Sequence, residues 1–264
     1  MEVTVLNFSG IYEQETFYRD LEGVSFVDLK DISGTNCMCD DEAAKEILAR
    51  LKDTGKSVSF EASGDIHAKL PYGLHFIDNG NYHYMSALLA GRVTEPFSLV
   101  ALDHHPDMQR PMFDILSCGG WVAEVLDKNP FVRDVHIIGA DRRLIEELDP
   151  ADRDKVRFYD LDEVFYSDTG VRLPDIGFPV YLSIDKDVVR RDDIVTNWDQ
   201  GELSAEQLKL FIRALFITEK NSEGRDVLAL DICGECAPDQ ENCDISAAIC
   251  GNDTFNADII KLLS

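Results

Sequence analysis

Apolar residues in this chain fall into short runs separated by helix-periodic stretches, and several runs stop at a cluster of charge. The clearest is Phe97–Asp107, FSLVALDHHPD. Phe97 and the unbroken Leu99–Leu102 read as a strand buried on both faces. The run then gives way to Asp103, His104, His105, Pro106 and Asp107. Val3–Phe8, Val24–Val27, Leu74–Ile77, Val135–Ile138, Val156–Tyr159, Val180–Ile184 and Val227–Leu230 predict further strands. Helices are predicted over Glu42–Lys52, opened by Asp40 and Asp41 and stopped by Gly55, and over Tyr82–Leu89, Trp121–Leu126 and Arg142–Leu148. Pro111 marks a loop ahead of the Trp121 helix. Leu203–Lys220 carries the strongest start signal, a capping box of Ser204 and Gln207 with Leu203 and Leu208 as its hydrophobic staple. Asn256–Leu263 predicts a closing helix.

Strands alternating with helices predict an α/β domain over residues 1–264, a mainly parallel central sheet with helices on both faces. Ligands of open α/β sheets bind at the carboxyl ends of the strands. Four predicted strands end in polar clusters, at residues 78–83, 103–107, 185–187 and 231–235. That coincidence points to one shared site.

Charge sharpens this picture. Fifty acids against 25 bases leave the chain at −25. Such a surface repels a phosphate backbone, which argues against nucleic-acid binding, and attracts cations. No run approaches the ~20 apolar residues of a membrane span. The N-terminal MEVTVLNFSG has an acid at position 2 and too short an apolar run for a signal core. Together with seven cysteines read as thiols, this predicts a cytoplasmic protein.

Asp185 and Asp187 lie two apart at a strand end, so their side chains share a face, with Lys186 on the other. Asp103 and His105 have the same relationship. Asp107 would lie ~13 Å beyond Asp103 in an extended chain, so Pro106 must let the chain leave the sheet and curl back. His83 arrives from the turn entering the Tyr82 helix. Four carboxylates (Asp103, Asp107, Asp185 and Asp187) balance two divalent cations. Mixed carboxylate and imidazole donors suit Mn²⁺, with Zn²⁺, Fe²⁺ or Co²⁺ as alternatives. Two such ions ~3.5–4 Å apart acidify a shared water, which implies metal-assisted hydrolysis.

Asp103-His104-His105-Pro106-Asp107 resembles the Asp-x-His-x-Asp motif of ureohydrolases, the arginase, agmatinase and formiminoglutamase family. Ser183-Ile184-Asp185-Lys186-Asp187 resembles their Ser-x-Asp-x-Asp motif. Gly80-Asn81-Tyr82-His83 is similar to their Gly-Gly-Asp-His, keeping only the Gly and the His. The resemblance spans about residues 75–235. It implies a three-layer αβα fold, two Mn²⁺ ions held by His83, Asp103, His105, Asp107, Asp185 and Asp187, and hydroxide attack on a guanidinium carbon. Asp107 and Glu235 are the candidate catalytic residues, Glu235 as a grip on a cationic substrate or a proton carrier. Chains of this family are often oligomers, which implies a homo-oligomer.

The chain also departs from the family. Val188-Val189-Arg190 replaces the Asp-Pro that usually follows the second motif, and the substrate-loop His has no counterpart between Asp107 and His136. The Glu that holds the guanidinium usually stands three residues after a strand-end Asp; after Asp231 that place is Gly234, with Glu235 one later. A small cationic or amide substrate other than free arginine is the expectation, with a C–N bond of a guanidino, formimino or amide group as the target. A ureohydrolase-like protein that binds metal without turnover is the rival reading. A third is a metallophosphoesterase, suggested by Gly64-Asp65-Ile66-His67 alone. Cys233, Cys236, Cys243 and Cys250 open with a C-x-x-C, but the later spacings are wide for structural zinc. His104 alternates away from the metal face, and Trp198-Asp199-Gln200-Gly201 is placed to wall a pocket.

Overall fold

The computed structural model describes residues 1–52, 70–110, 112–167, 170–217 and 226–264. The predicted stop at Gly55, the Gly64–His67 segment, Pro111 and the end of the Lys220 helix lie outside them. Eight strands form one parallel sheet: β1 (Val3–Asn7), β2 (Ser25–Asp28), β3 (Leu74–Asn79), β4 (Phe97–Leu102), β5 (Val132–Ile138), β6 (Arg157–Tyr159), β7 (Val180–Asp185) and β8 (Val227–Glu235). Their spatial order is β2-β1-β3-β8-β7-β4-β5-β6. The late strands β7 and β8 insert between β3 and β4, so the four strands with polar exits stand side by side.

Helices cover both faces. Leu208, Phe211, Ile212 and Leu215 of α5 (Ala205–Ile217) and Phe255, Ile259 and Leu263 of α6 (Ile245–Leu263) pack on one side, against Phe76, Val100, Leu182 and Ile232. On the other, Ile47 of α1 (Asp41–Leu51), Met85 and Leu89 of α2 (Met85–Ala90) and Trp121 and Val125 of α3 (Trp121–Lys128) meet Leu99, Ala101, Ile77 and Tyr181. Period-two alternation in fully buried strands sends successive side chains to opposite cores. A short α4 (Arg142–Glu146) follows β5. This is the three-layer αβα arrangement expected from the alternation. None of the described helices is long and apolar enough to cross a membrane.

Element ends differ from expectation wherever buried polar residues have partners. β3 continues through Asp78 and Asn79 because Asp78 accepts the N–H groups of Phe8 and Ser9, each at 2.8 Å, and the Ser9 hydroxyl at 2.6 Å. The Tyr82–Leu89 stretch splits into a 3₁₀ turn, Gly80–Tyr82, and α2. β8 runs past Leu230 to Glu235, and α6 begins at Ile245 rather than Asn256, with Asp244 capping the N–H groups of Ser246 and Ala247. The capping box at Ser204 and Gln207 is formed, the hydroxyl and the amide oxygen each taking the other residue's N–H at 3.1 Å.

Candidate metal centre

The exits of β3, β4 and β7 bring His83, Asp103, His105, Asp107, Asp185 and Asp187 together, with β8 standing between β3 and β7. His83 leaves the 3₁₀ turn with its Nε2 held 2.9 Å from Ser183 Oγ. That contact turns Nδ1 toward three carboxylates: Asp103 Oδ2 at 3.3 Å, Asp107 Oδ2 at 3.2 Å and Asp185 Oδ2 at 3.3 Å. After Pro106 the chain does curl back, and Asp107 sits in the left-handed region at φ 47°. The Trp121 indole N–H donates to Asp107 Oδ2 at 2.7 Å, and the Trp121 ring packs against His83 with centroids 4.8 Å apart.

His105 anchors the other half. Its backbone N–H donates to Asp103 Oδ1 at 2.7 Å, and its Nδ1 lies 2.8 Å from Asp187 Oδ2. Asp187 Oδ1 accepts the His104 N–H at 3.0 Å, and Asp185 Oδ1 accepts the Asp187 N–H at 3.0 Å. Three sets of donor atoms lie within 4.8 Å of one another: His83, Asp103 and Asp107; Asp103, His105 and Asp187; and His83, Asp185 and Cys233. The first two share Asp103.

Asp103 Oδ2 supplies a direct test of fit. It is buried, and the His83 ring reaches it only loosely, with Nδ1 at 3.3 Å and shared with Asp107 and Asp185, a costly state for a carboxylate oxygen that a cation would complete. Protonation of the metal-free cluster agrees. Burial pushes Asp107 up to about 7, with the charge of Asp103 adding to it. Burial, then Asp185 and Asp103, drives Asp187 well above the carboxylate range. Burial opposes the charged forms of both imidazoles, yet the acidic partners outweigh it and raise His83 and His105. Asp103 moves the other way: burial would raise it, but hydrogen bonds from His105 and His83 hold it below its ordinary value. The raised carboxyls reflect negative charges crowded in a buried space, the crowding that a divalent cation would relieve.

Beside the cluster lies a cavity of about 320 Å³ whose walls include His105, Leu144, Glu147, Trp198 and Asp199. No lysine or arginine lines it among the described residues. Asp199 Oδ1 lies 3.1 Å from His105 Nε2, and the Trp198 indole donates to Asn81 Oδ1 at 2.9 Å. Trp198 and Asp199 thus wall the pocket as their position suggested, while Gln200 turns away to the Val189 and Ile194 carbonyls. His104 stays out of all three donor sets and lies 3.7 Å from Asp199.

Glu235 does not join the site. It is fully buried on the reverse side, 2.5 Å from Lys186 Nζ, which also reaches Asn252 Oδ1 at 2.6 Å. Asn256 donates to Glu235 and to Glu15, whose carboxyl burial and the Glu235 charge push up to about 11, leaving it protonated. The substrate-gripping or proton-carrying role read from its spacing is therefore corrected: strict alternation would put Glu235 on the face of Cys233, but the left-handed backbone at Gly234 breaks the alternation, and Glu235 turns to the face away from the cavity. Gly234 occupies the near place at φ 92°, and an added Cβ there would fall 2.3 Å from Asp185 Oδ1. Cys236, Cys243 and Cys250 enter no donor set among the described residues, so the C-x-x-C is not a structural zinc site there. Cys233 is the donor that motif reading passed over as a ligand. Its signal is the register that sets it beside Asp185.

No family model matches the chain. A solved structure of formiminoglutamase from Trypanosoma cruzi with Mn²⁺ superposes with a TM-score of 0.60 at 13% identity, covering 97% of this chain and 92% of that one. Proclavaminate amidino hydrolase of Streptomyces clavuligerus gives a TM-score of 0.59 at 15% identity, over 99% and 91% of the two chains. The chain has the arginase-like α/β fold. An uncharacterized protein of Thermotoga maritima is 29% identical over 239 residues, 89% of this chain and 80% of that one. Within the arginase-like fold the donor sets occupy the carboxyl edge of the four central strands, where such sheets bind their ligands.

Proposed function

We propose that this protein is a divergent ureohydrolase, a metal-dependent hydrolase of a C–N bond in a guanidino, formimino or amide compound. The observation that carries this reading is the pair of donor sets joined through Asp103, with its loosely satisfied buried oxygen, at the strand ends of an arginase-like fold. His83, Asp103, Asp107 and Asp185 would hold one ion, and Asp103, His105, Asp185 and Asp187 the other, most simply as Mn²⁺ given the oxygen-rich donors. Bound there, the two ions would acidify a shared water and supply hydroxide at neutral pH.

The chain's own residues prepare that chemistry. Ser183 fixes the His83 ring, Trp121 steers Asp107, and Asp199 backs His105, so the donors are oriented before an ion arrives. Glu147 and Asp199 put negative charge at the cavity wall, which favours a cationic substrate over a phosphate ester. With Gly234 in the near place and Glu235 tied to Lys186, no strand-end Glu grips a guanidinium, and poor activity on free arginine follows. The same feature supports the second reading, metal binding without turnover. A panel of guanidino, formimino and amide compounds with Mn²⁺-loaded protein, scored for urea, ammonia and amine release, tests the proposal. Metal-dependent C–N cleavage is expected. Turnover of phosphodiesters alone would overturn it, and metal-loaded protein silent on the whole panel would establish the non-catalytic reading.

A further inference from the structure

The third donor set has no place in the carboxylate and imidazole scheme, because one of its members is sulfur. We infer that Cys233 is a ligand of the metal centre, giving one ion a thiolate beside His83 and Asp185 and tilting that position toward Zn²⁺, Fe²⁺ or Co²⁺ over Mn²⁺. This rests on the proposal that the site binds metal.

Cys233 is wholly buried, and its Sγ lies within 4.8 Å of a His83 ring nitrogen and an Asp185 carboxylate oxygen. The placement comes from the sheet. Asp185 and Cys233 are register partners on the adjacent parallel strands β7 and β8, so their side chains leave the same face at the same level. Gly234 lets the β8 backbone press against this corner, where a Cβ would meet Asp185 Oδ1 at 2.3 Å and the Lys186 N–H at 2.7 Å. The thiol also packs in the apolar cluster on this face, and its Sγ lies 3.5 Å from the Asn79 carbonyl and 3.7 Å from that of Asp78, ordinary contacts for a weak S–H donor that leave the sulfur lone pairs toward His83 and Asp185 uncommitted. An aliphatic side chain would fill the space without setting a polarisable group against an imidazole and a carboxylate.

Ligation is proton-coupled: as the metal–sulfur bond forms, the Cys233 S–H proton leaves to solvent, with no change of oxidation state. A thiolate is a soft donor, and sites that include one retain borderline ions better than all-oxygen sites do. The centre would then be asymmetric, with a hard position at His105 and Asp187 and a softer one at His83, Asp185 and Cys233.

The test uses the full chain, stripped of metal and reloaded. With Zn²⁺, X-ray absorption should show a sulfur scatterer at ~2.3 Å. With Co²⁺, a thiolate-to-metal charge-transfer band should appear in the near ultraviolet. Both signals should persist in Cys118→Ser, which removes the thiol that lines the cavity, and in Cys236→Ser, and should vanish in Cys233→Ser. Competition in Cys233→Ser should shift toward Mn²⁺ by ~10-fold, the order of effect of removing a supporting group from a metal site. Bound ions with only nitrogen and oxygen neighbours would overturn this inference and leave the metal centre standing. No bound ion at all would overturn both. The scattering measurement on the unaltered protein decides the matter even if Cys233→Ser fails to fold.

Discussion

Asp103 is the side chain on which the centre turns, since it belongs to two of the three donor sets and, while one of its oxygens takes the His105 N–H, the other is held only loosely by His83 at 3.3 Å. Asp103→Asn keeps the shape and removes the charge, so it should abolish hydrolysis and most metal affinity. At free Mn²⁺ of ~100 times Kd the parent protein gains ~2.7 kcal/mol from binding, and thermal unfolding should show the variant without that gain. Proton linkage adds a second expectation. Asp107, Asp187, His83 and His105 are raised, so each holds a proton in the folded metal-free protein where the unfolded chain has begun to release it. Stability from raised groups is present at low pH and is lost as pH climbs through the folded values, for Asp107 about 7. Asp103 is lowered and contributes in the opposite sense, above the ordinary carboxylate range. Metal ions replace the lost protons, so the Tm increment given by Mn²⁺ should widen between roughly pH 5 and pH 8. An increment that shrinks as pH rises would contradict this assignment of protons.

Elements come next, and here buried polar residues both set the site and obscured the pattern. β8 carries Asp231, paired with His75 at 2.8 Å and Tyr181 at 2.7 Å, and Glu235, paired with Lys186. Those partners let acids sit in a central strand, which the apolar run Val227–Leu230 does not reveal. Asn252 and Asn256, one turn apart on α6, face the same lysine, and the Gly251-Asn252-Asp253-Thr254 cluster in the middle of that helix reads as loop in sequence. Lys186 therefore fastens the turn between Asp185 and Asp187 from behind. Lys186→Met leaves Glu235 buried without its cation and should cost ~3–5 kcal/mol, measured by urea unfolding. Gly234→Ala combines an unfavourable φ with contact against Asp185 and should cost ~1–3 kcal/mol and weaken metal binding together. Loss of stability with metal affinity untouched would show that Gly234 does not position Asp185.

Across the whole molecule, the arginase-like fold brings residues from four separate stretches of chain to one edge because β7 and β8 enter the sheet last, between β3 and β4. The alternation of elements and the charged strand exits made the layered fold and the six-residue cluster legible. The strand order was not, since nothing in an apolar run names its neighbour, and so the Asp185–Cys233 register and the turn of Glu235 to the buried face behind the site stayed hidden. Excess negative charge, −25 over the chain, surrounds an edge that gathers four carboxylates and two imidazoles. Elemental analysis of full-length protein, loaded with Mn²⁺ and dialysed free of excess, tests that edge most directly. Close to two ions per chain in the parent protein, and a clear loss in Asp103→Asn and Asp187→Asn, are the predicted results. Metal content no higher than in heat-unfolded protein, or unchanged in both variants, would contradict the assignment of a two-ion centre.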